Sequence, residues 1–157
     1  MKKHFVIALT MLSLVTALTV TNGVGTASAH TFNLITANVP FDFSDGTTGF
    51  SAGKYEIEPF GANSTAGIRI TSYDRKAHGT RLTIAAGGIS PKNETTLVFH
   101  RYGDKYFLSQ IWTAGDNAGL QLPTSSAERA IEREIEMRTG QASESVPATV
   151  TIAALQK

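Results

Sequence analysis

The stretch Leu97–Trp112, LVFHRYGDKYFLSQIW, decides the fold of this chain. It is the segment richest in aromatic and β-branched residues, and Gly103-Asp104 interrupts it in the middle. Aromatic and β-branched residues favour strands, and a two-residue loop that contains Gly favours a primed hairpin turn. The stretch therefore predicts a β-hairpin at the centre of the fold.

Closing the hairpin at Gly103-Asp104 predicts which residues lie opposite each other. The predicted cross-strand pairs are Tyr102–Lys105, Arg101–Tyr106, His100–Phe107, Phe99–Leu108, Val98–Ser109 and Leu97–Gln110. Alternation then predicts a first face made of Leu97, Phe99, Arg101, Tyr106, Leu108, Gln110 and Trp112. The opposite face is predicted to carry Val98, His100, Tyr102, Phe107, Ser109 and Ile111. Neither face is purely polar, so we expect this pair of strands inside a sandwich or barrel.

Short segments of alternating apolar and polar residues recur on both sides of the hairpin. They lie at residues 33–43, 54–59, 68–73, 81–86 and 147–155. Pro40 falls within the first of them, where its missing N–H predicts an edge strand or a bulge. Gly-rich turns separate the segments, among them 44–53 and 113–119. The pattern predicts an all-β fold, a single antiparallel β-sandwich or barrel of about seven strands.

One α-helix is predicted near the C-terminus, at about residues 126–139. Ser125 and Glu128 have the spacing of a capping box, and Gly140 favours the end of the helix. The side predicted to pack on the sheet or to close one end of it is apolar: Ala127, Ala130, Ile131, Ile135 and Met137. The side predicted to face away is charged: Glu128, Arg129, Glu132, Arg133 and Glu136.

The first 29 residues have the layout of a secretory signal peptide. Lys2-Lys3 precedes the apolar segment Phe5–Val20, and Ala27-Ser28-Ala29 matches an A-x-A cleavage site. The alternative is an uncleaved membrane anchor, but about 16 uncharged residues are few for a bilayer span. We therefore expect residues 1–29 to be removed and residues 30–157 to form a single periplasmic or secreted β-domain. No membrane span is expected after cleavage.

Composition argues against several classes of function. Without Lys2 and Lys3, the 14 basic residues fall to 12, against 13 acidic residues. A nucleic-acid-binding protein carries a clear basic excess, so no nucleic-acid partner is expected. The chain has no cysteine, so an exported domain of this sequence must rely on its core rather than on disulfides. The Gly-rich turns lack the strand–loop–helix context of a phosphate site, and no cofactor is predicted.

Three segments together resemble a known family. They are Val39–Phe43 (VPFDF), Ala52–Tyr55 (AGKY) and Phe99–Trp112 (FHRYGDKYFLSQIW). They resemble a family of small exported β-proteins of acidobacterial type. The resemblance spans nearly all of the mature chain, and the third segment is its most specific part. It implies export and a single folded unit, and it assigns no catalytic residue.

Four residues of the hairpin form the candidate ligand-binding site: Arg101, Tyr106, Gln110 and Trp112. The predicted register puts them on one face, and aromatic rings beside a few polar groups are typical of small-molecule and sugar sites. An alternative is that Arg101 and Tyr106 form a cross-strand cation–π pair that only stabilises the sheet.

Catalytic and metal sites have weaker support. His100 is predicted to face Phe107, an environment typical of a structural histidine, and no serine lies in a G-x-S-x-G motif. His30 would be the mature N-terminus, where its amine and imidazole could chelate copper if His78 or His100 lay nearby. No metal site is assigned from the sequence.

The leading hypothesis from the sequence is a non-enzymatic, exported binding or structural β-domain with an envelope or extracellular ligand. The alternatives are an enzyme that acts on an extracellular polymer, and a periplasmic copper-binding protein that uses His30.

Overall fold

The computed structural model describes residues 33–60, 66–139 and 147–157, and in them the chain is mostly β. Residues 1–32, which include the predicted signal peptide, residues 61–65 and residues 140–146 lie outside these ranges. The strands are β1 (Ile35–Val39), β2 (Phe43–Ser44), β3 (Gly49–Phe50), β4 (Gly53–Pro59), β5 (Gly67–Ser72), β6 (His78–Leu82), β7 (Ile84–Gly87), β8 (Thr96–Tyr102), β9 (Lys105–Trp112), β10 (Ala118–Gln121) and β11 (Ala148–Gln156). The helix α1 spans Ser126–Thr139.

These strands form one curled half-barrel sheet. Its order is β3-β2-β9-β8-β11-β1-β4-β5-β6, and β10 pairs with both β9 and β7. The ladders are antiparallel except for the short pairing of β2 with β9 at Ser44 and Phe107. The strands β6 and β7 lie at opposite ends of the hydrogen-bonded path through β9 and β10, and only Thr83 separates them in sequence. The chain itself therefore links the two ends of the curl.

The predicted count of about seven strands is wrong, because several short strands occupy segments that the sequence predicted as turns. The predicted loop 44–53 contains β3 and parts of two more strands, and the predicted strand 81–86 is split at Thr83. The predicted strand 33–43 is also divided. Strand β1 ends at Val39, because Pro40 has no N–H to continue the ladder.

The core lies on the concave side of the curl, where aromatic rings from separated segments meet. Phe43 contacts Phe50, Tyr55 and Phe99 with ring centroids 5.0, 5.1 and 5.4 Å away. Each such pair contributes about 0.5–1.5 kcal/mol beyond its buried area. Phe41 packs against this cluster and is partly buried. The hairpin β2–β3 is thereby fixed against the central strand β8.

The central hairpin forms as predicted as far as Phe99. Gly103 has a φ of 64°, the positive value that a primed turn requires, and the first four predicted pairs are confirmed. Beyond Phe99 the register shifts by one residue, so that Val98 lies opposite Gln110 and Leu97 opposite Ile111. The predicted pairs Val98–Ser109 and Leu97–Gln110 are therefore wrong.

Burial explains this shift. Leu97 and Ile111 are each 1 % exposed and belong to the core. In the unshifted register the amide of Gln110 would enter the core opposite Leu97. Inserting one extra residue, Ser109, as a β-bulge keeps the apolar side chains inside and turns Gln110 outward.

The helix α1 begins where its N-cap predicts. The Ser125 hydroxyl accepts a hydrogen bond from the Glu128 backbone N–H at 3.0 Å. The predicted orientation of the helix is wrong, however, because Glu128 is 5 % exposed whereas Met137 is 81 % exposed. Of the predicted apolar side, only Ile131 and Ile135 are half-buried. Within the described residues, no helix is both long and apolar enough to cross a bilayer.

The pairing of β10 with β9 yields a first prediction. A Cβ atom at Gly119 would lie 2.8 Å from the Ile111 carbonyl oxygen and from two ring carbons of Trp112. We expect Gly119→Ala to lower the free energy of unfolding by about 1–3 kcal/mol, the usual cost of overpacking. Urea unfolding followed by circular dichroism measures this loss.

The matched control is Gly87→Ala on the paired strand β7, where an added Cβ meets nothing within 4 Å. We expect this variant to stay within about 1 kcal/mol of the wild type or to exceed it slightly. Equal losses in the two variants would show that steric contact at Gly119 does not control stability.

Candidate functional site

The β-bulge divides the four predicted site residues between two faces of the hairpin. Tyr106 lies on the core side and packs against the buried cluster. Gln110 and Trp112 follow the bulge and flank the core residue Ile111, so alternation turns them outward. The predicted single face of Arg101, Tyr106, Gln110 and Trp112 therefore does not form.

Arg101 and Tyr106 form the cross-strand cation–π pair that is the alternative to a ligand site. The guanidinium carbon of Arg101 lies 5.6 Å from the Tyr106 ring centroid, and its Nε donates to the Gly103 carbonyl at 2.7 Å. The other face of Tyr106 stacks on Phe41 with centroids 3.9 Å apart. Both groups are thus engaged in local packing at the hairpin turn.

Gln110 and Trp112 lie in a groove on the outward side of the sheet, hereafter the Trp112 groove. Its volume is about 580 Å³, within the range of about 300–1,000 Å³ that small-molecule sites occupy. Strands β8, β9 and β11 and the segment before β8 supply its lining: Lys92, Asn93, Glu94, Thr96, Val98, Gln110, Trp112, Thr149 and Thr151. The two charged residues have opposite signs, and most of the others carry hydroxyl or amide groups.

The indole of Trp112 is held firmly at one end of this groove. Its Nε1–H donates to the Gln110 side-chain oxygen at 3.0 Å. The backbone of Gly88 and Gly119 packs against its six-membered ring, where side chains would not fit. The Lys92 ammonium lies over the ring, 4.9 Å from its centroid. The tryptophan is therefore only 7 % exposed.

A second polar constellation lies on the same outward face, at its junction with α1. The Ser109 hydroxyl is 3.0 Å from His100 Nε2, and His100 Nδ1 is 2.7 Å from the Glu128 carboxylate. The Tyr102 hydroxyl donates to Glu132 at 2.6 Å and to Glu128 at 3.3 Å. These contacts, hereafter the His100 network, connect the sheet to the helix.

The His100 network explains why α1 buries part of its charged side. A buried carboxylate is costly unless it is hydrogen-bonded, and Glu128 has donors in both His100 and Tyr102. Burial raises the pKa of Tyr102, and the neighbouring carboxylates of Glu132 and Glu128 raise it further. The phenol therefore stays protonated and remains a hydrogen-bond donor to the helix.

The order of groups in this network is that of a Ser–His–acid triad. If Nδ1–H donates to Glu128, then Nε2 accepts a hydrogen bond from the Ser109 hydroxyl, as a general base would. Ser109, however, is 5 % exposed, and it is not among the residues that line the Trp112 groove. The arrangement can position α1 on the sheet, and its nucleophile is shielded from bulky substrates.

Sequence reasoning missed this network because its members are far apart in the chain. Ser109 is nine positions after His100 in the chain, and Glu128 is 28 positions after it. No fixed-spacing motif joins them. The capping-box position of Glu128 was the available signal, but it predicted a local partner rather than a histidine on the sheet.

Of the histidines in the copper hypothesis, His78 and His100 lie within the described residues. His78 is exposed on β6, and His100 is engaged with Glu128. Among residues 33–60, 66–139 and 147–157, no group of three or more His, Asp or Glu side chains is arranged to hold a metal ion. His30 lies outside the described residues, so copper binding there stays a prediction.

Comparison of the chain with protein-family models, with curated proteins and with solved structures found no match. The resemblance to small exported proteins therefore stays a prediction.

The raised pKa of Tyr102 predicts how stability depends on alkaline pH. In the unfolded chain tyrosine ionises near pH 10, whereas folded Tyr102 stays protonated above that pH. The folded state then binds more protons than the unfolded state. The stability is therefore complete below about pH 10 and decreases above it, by at most about 1.4 kcal/mol per pH unit for this group.

We expect Tyr102→Phe to lower stability at pH 7, because the hydrogen bonds to both glutamates are lost, and to flatten the decline above pH 10. Burial also raises the pKa of Tyr55, so a residual slope remains. Tyr73→Phe removes an exposed phenol and serves as the control. Urea unfolding from pH 8 to 11 tests this, and a Tyr102→Phe slope as steep as that of the control would contradict it.

Proposed function

We propose that this chain is a non-enzymatic, exported binding domain whose ligand site is the Trp112 groove. The observation that carries the proposal is the combination of an immobilised indole with an amide and several hydroxyl groups along one open groove. The signal-peptide pattern at residues 1–29 supports a ligand in the envelope or outside the cell.

The chemistry of the groove favours a neutral oligosaccharide. Sugars present hydroxyl groups that exchange hydrogen bonds with side-chain hydroxyls and amides, and C–H faces that pack on aromatic rings. Gln110, Val98 and Thr151 lie in one row across β9, β8 and β11. Two strand spacings separate the ends of this row by about 10 Å, which suits more than one sugar ring.

Charge in the groove also favours a neutral ligand. Lys92 and Glu94 are its two charged residues, and their charges cancel. An anionic polymer would meet Glu94, and a cationic one would meet Lys92.

A hydrolase is the second candidate, because the Ser109–His100–Glu128 contacts have the order of a catalytic triad. A fluorophosphonate reagent distinguishes the two. Since Ser109 is buried, we expect mass spectrometry to find it unmodified. Modification of Ser109 that is abolished by His100→Gln, with the fold retained, would instead support the hydrolase.

Binding is testable through the intrinsic fluorescence of Trp112, because it is the single tryptophan of the chain. We expect its emission to change with at least one neutral oligosaccharide in a panel of cell-wall and extracellular glycans. Thr151→Val removes one hydroxyl from the groove and keeps the shape and strand preference of the side chain. Loss of one hydrogen bond of about 0.5–1.5 kcal/mol would weaken binding about 2- to 13-fold.

Thr80→Val on β6 is the matched control, because Thr80 is exposed on a strand that does not line the groove. We expect it to bind as the wild type does. Absence of a response across the whole panel, in a protein shown to be folded, would argue against the proposal. Equal weakening in the two variants would argue against this site.

A further inference from the structure

We infer that Lys92 is a gate over the Trp112 groove, which a sugar ring must displace before it can stack on the indole. This inference rests on the proposed function and identifies the residue that controls access to the site. The low exposure of Trp112 conflicts with its role as a stacking surface. Trp112 is the natural stacking surface for a sugar, yet it is only 7 % exposed.

The cover over Trp112 has a fixed part and a movable part. The fixed part is backbone, since Gly119 and Gly88 lie so close that an added Cβ would come within 2.8 Å and 3.1 Å of ring carbons. The movable part is the Lys92 side chain, which is exposed and places its ammonium 4.9 Å from the ring centroid. Withdrawal of Lys92 would uncover the ring without any change in the sheet.

The backbone of Lys92 is anchored, so that only its side chain needs to move. Its N–H donates to the Asp116 carbonyl at 3.0 Å, and its carbonyl accepts from the Gly115 N–H at 2.8 Å. The flexible four-carbon stem can swing on this fixed point by a change of rotamer. The gate therefore opens without breaking a backbone hydrogen bond.

Sugar binding would replace the contact of Lys92 with the Trp112 ring by contacts of sugar C–H groups with the same ring. The ammonium is attracted to the ring through a cation–π interaction, and a neutral sugar would replace it with C–H contacts to the same face. Each binding event must therefore break the Lys92–Trp112 contact. At an exposed site that contact corresponds to about a two- to fivefold loss of affinity, the equivalent of 0.5–1 kcal/mol.

The test has a ligand-free arm and a ligand arm, both read from Trp112 fluorescence. Without ligand, acrylamide should quench Trp112 more strongly in Lys92→Ala than in the wild type, because the ring face is uncovered. With the neutral oligosaccharide that binds best, Lys92→Ala should bind about two- to fivefold more tightly. The control is Lys76→Ala, which removes an exposed lysine paired with Asp74 outside the groove. Urea midpoints verify that both variants are folded.

The outcomes separate the gate from the proposed function. Unchanged quenching in Lys92→Ala would overturn the gate, whatever binds. Increased quenching with no oligosaccharide bound by either protein would keep the Lys92 cover and overturn the proposed function. Increased quenching with equal or weaker binding by Lys92→Ala would overturn the gate and leave the proposed function standing, with Lys92 as a direct ligand contact.

Discussion

The outward face of this protein depends on one extra residue, Ser109, in the strand β9. The bulge at Ser109 keeps Leu97 and Ile111 in the core while it turns Gln110 outward. Without it, the amide of Gln110 would enter the core, where an unpaired polar group costs about 1–3 kcal/mol. Ser109 lies on the side of the sheet that carries His100, and its hydroxyl is 3.0 Å from His100 Nε2. The position of Gln110 in the Trp112 groove therefore depends on this single change of register.

The sequence predicted the hairpin better than it predicted the faces of the hairpin. The turn at Gly103-Asp104 fixes the register of its nearest pairs, and those pairs are confirmed. Strict alternation beyond these pairs predicts the wrong partners for Val98 and Leu97. The available signal against it was the spacing of the apolar residues, since Leu108 and Ile111 are three apart where Leu97 and Phe99 are two apart. Unequal spacing on paired strands indicates a bulge.

The helix shows a different limit of sequence reasoning. Its position follows from local chemistry, because the Ser125 hydroxyl caps the backbone N–H of Glu128. Its orientation follows from tertiary contacts, because Glu128 and Glu132 find donors in His100 and Tyr102, more than 25 residues earlier in the chain. Periodicity assigns a charged side chain to solvent unless its partner is known. The number of strands was missed for a similar reason, since two-residue strands such as β2 and β3 have no periodicity to detect.

We propose binding rather than catalysis for the outward face because of the accessibility of its polar groups. A nucleophile needs access to substrate and donors aimed at the developing oxyanion, and buried Ser109 lies outside the open volume. The groove instead begins at the next residue, Gln110, whose side chain is fixed by the indole of Trp112. Each polar group nearest the bulge is thus held by a partner before any ligand arrives. A surface prepared in this way would order few groups on binding. The Lys92 ammonium over the Trp112 ring is the part of it that we propose must still move.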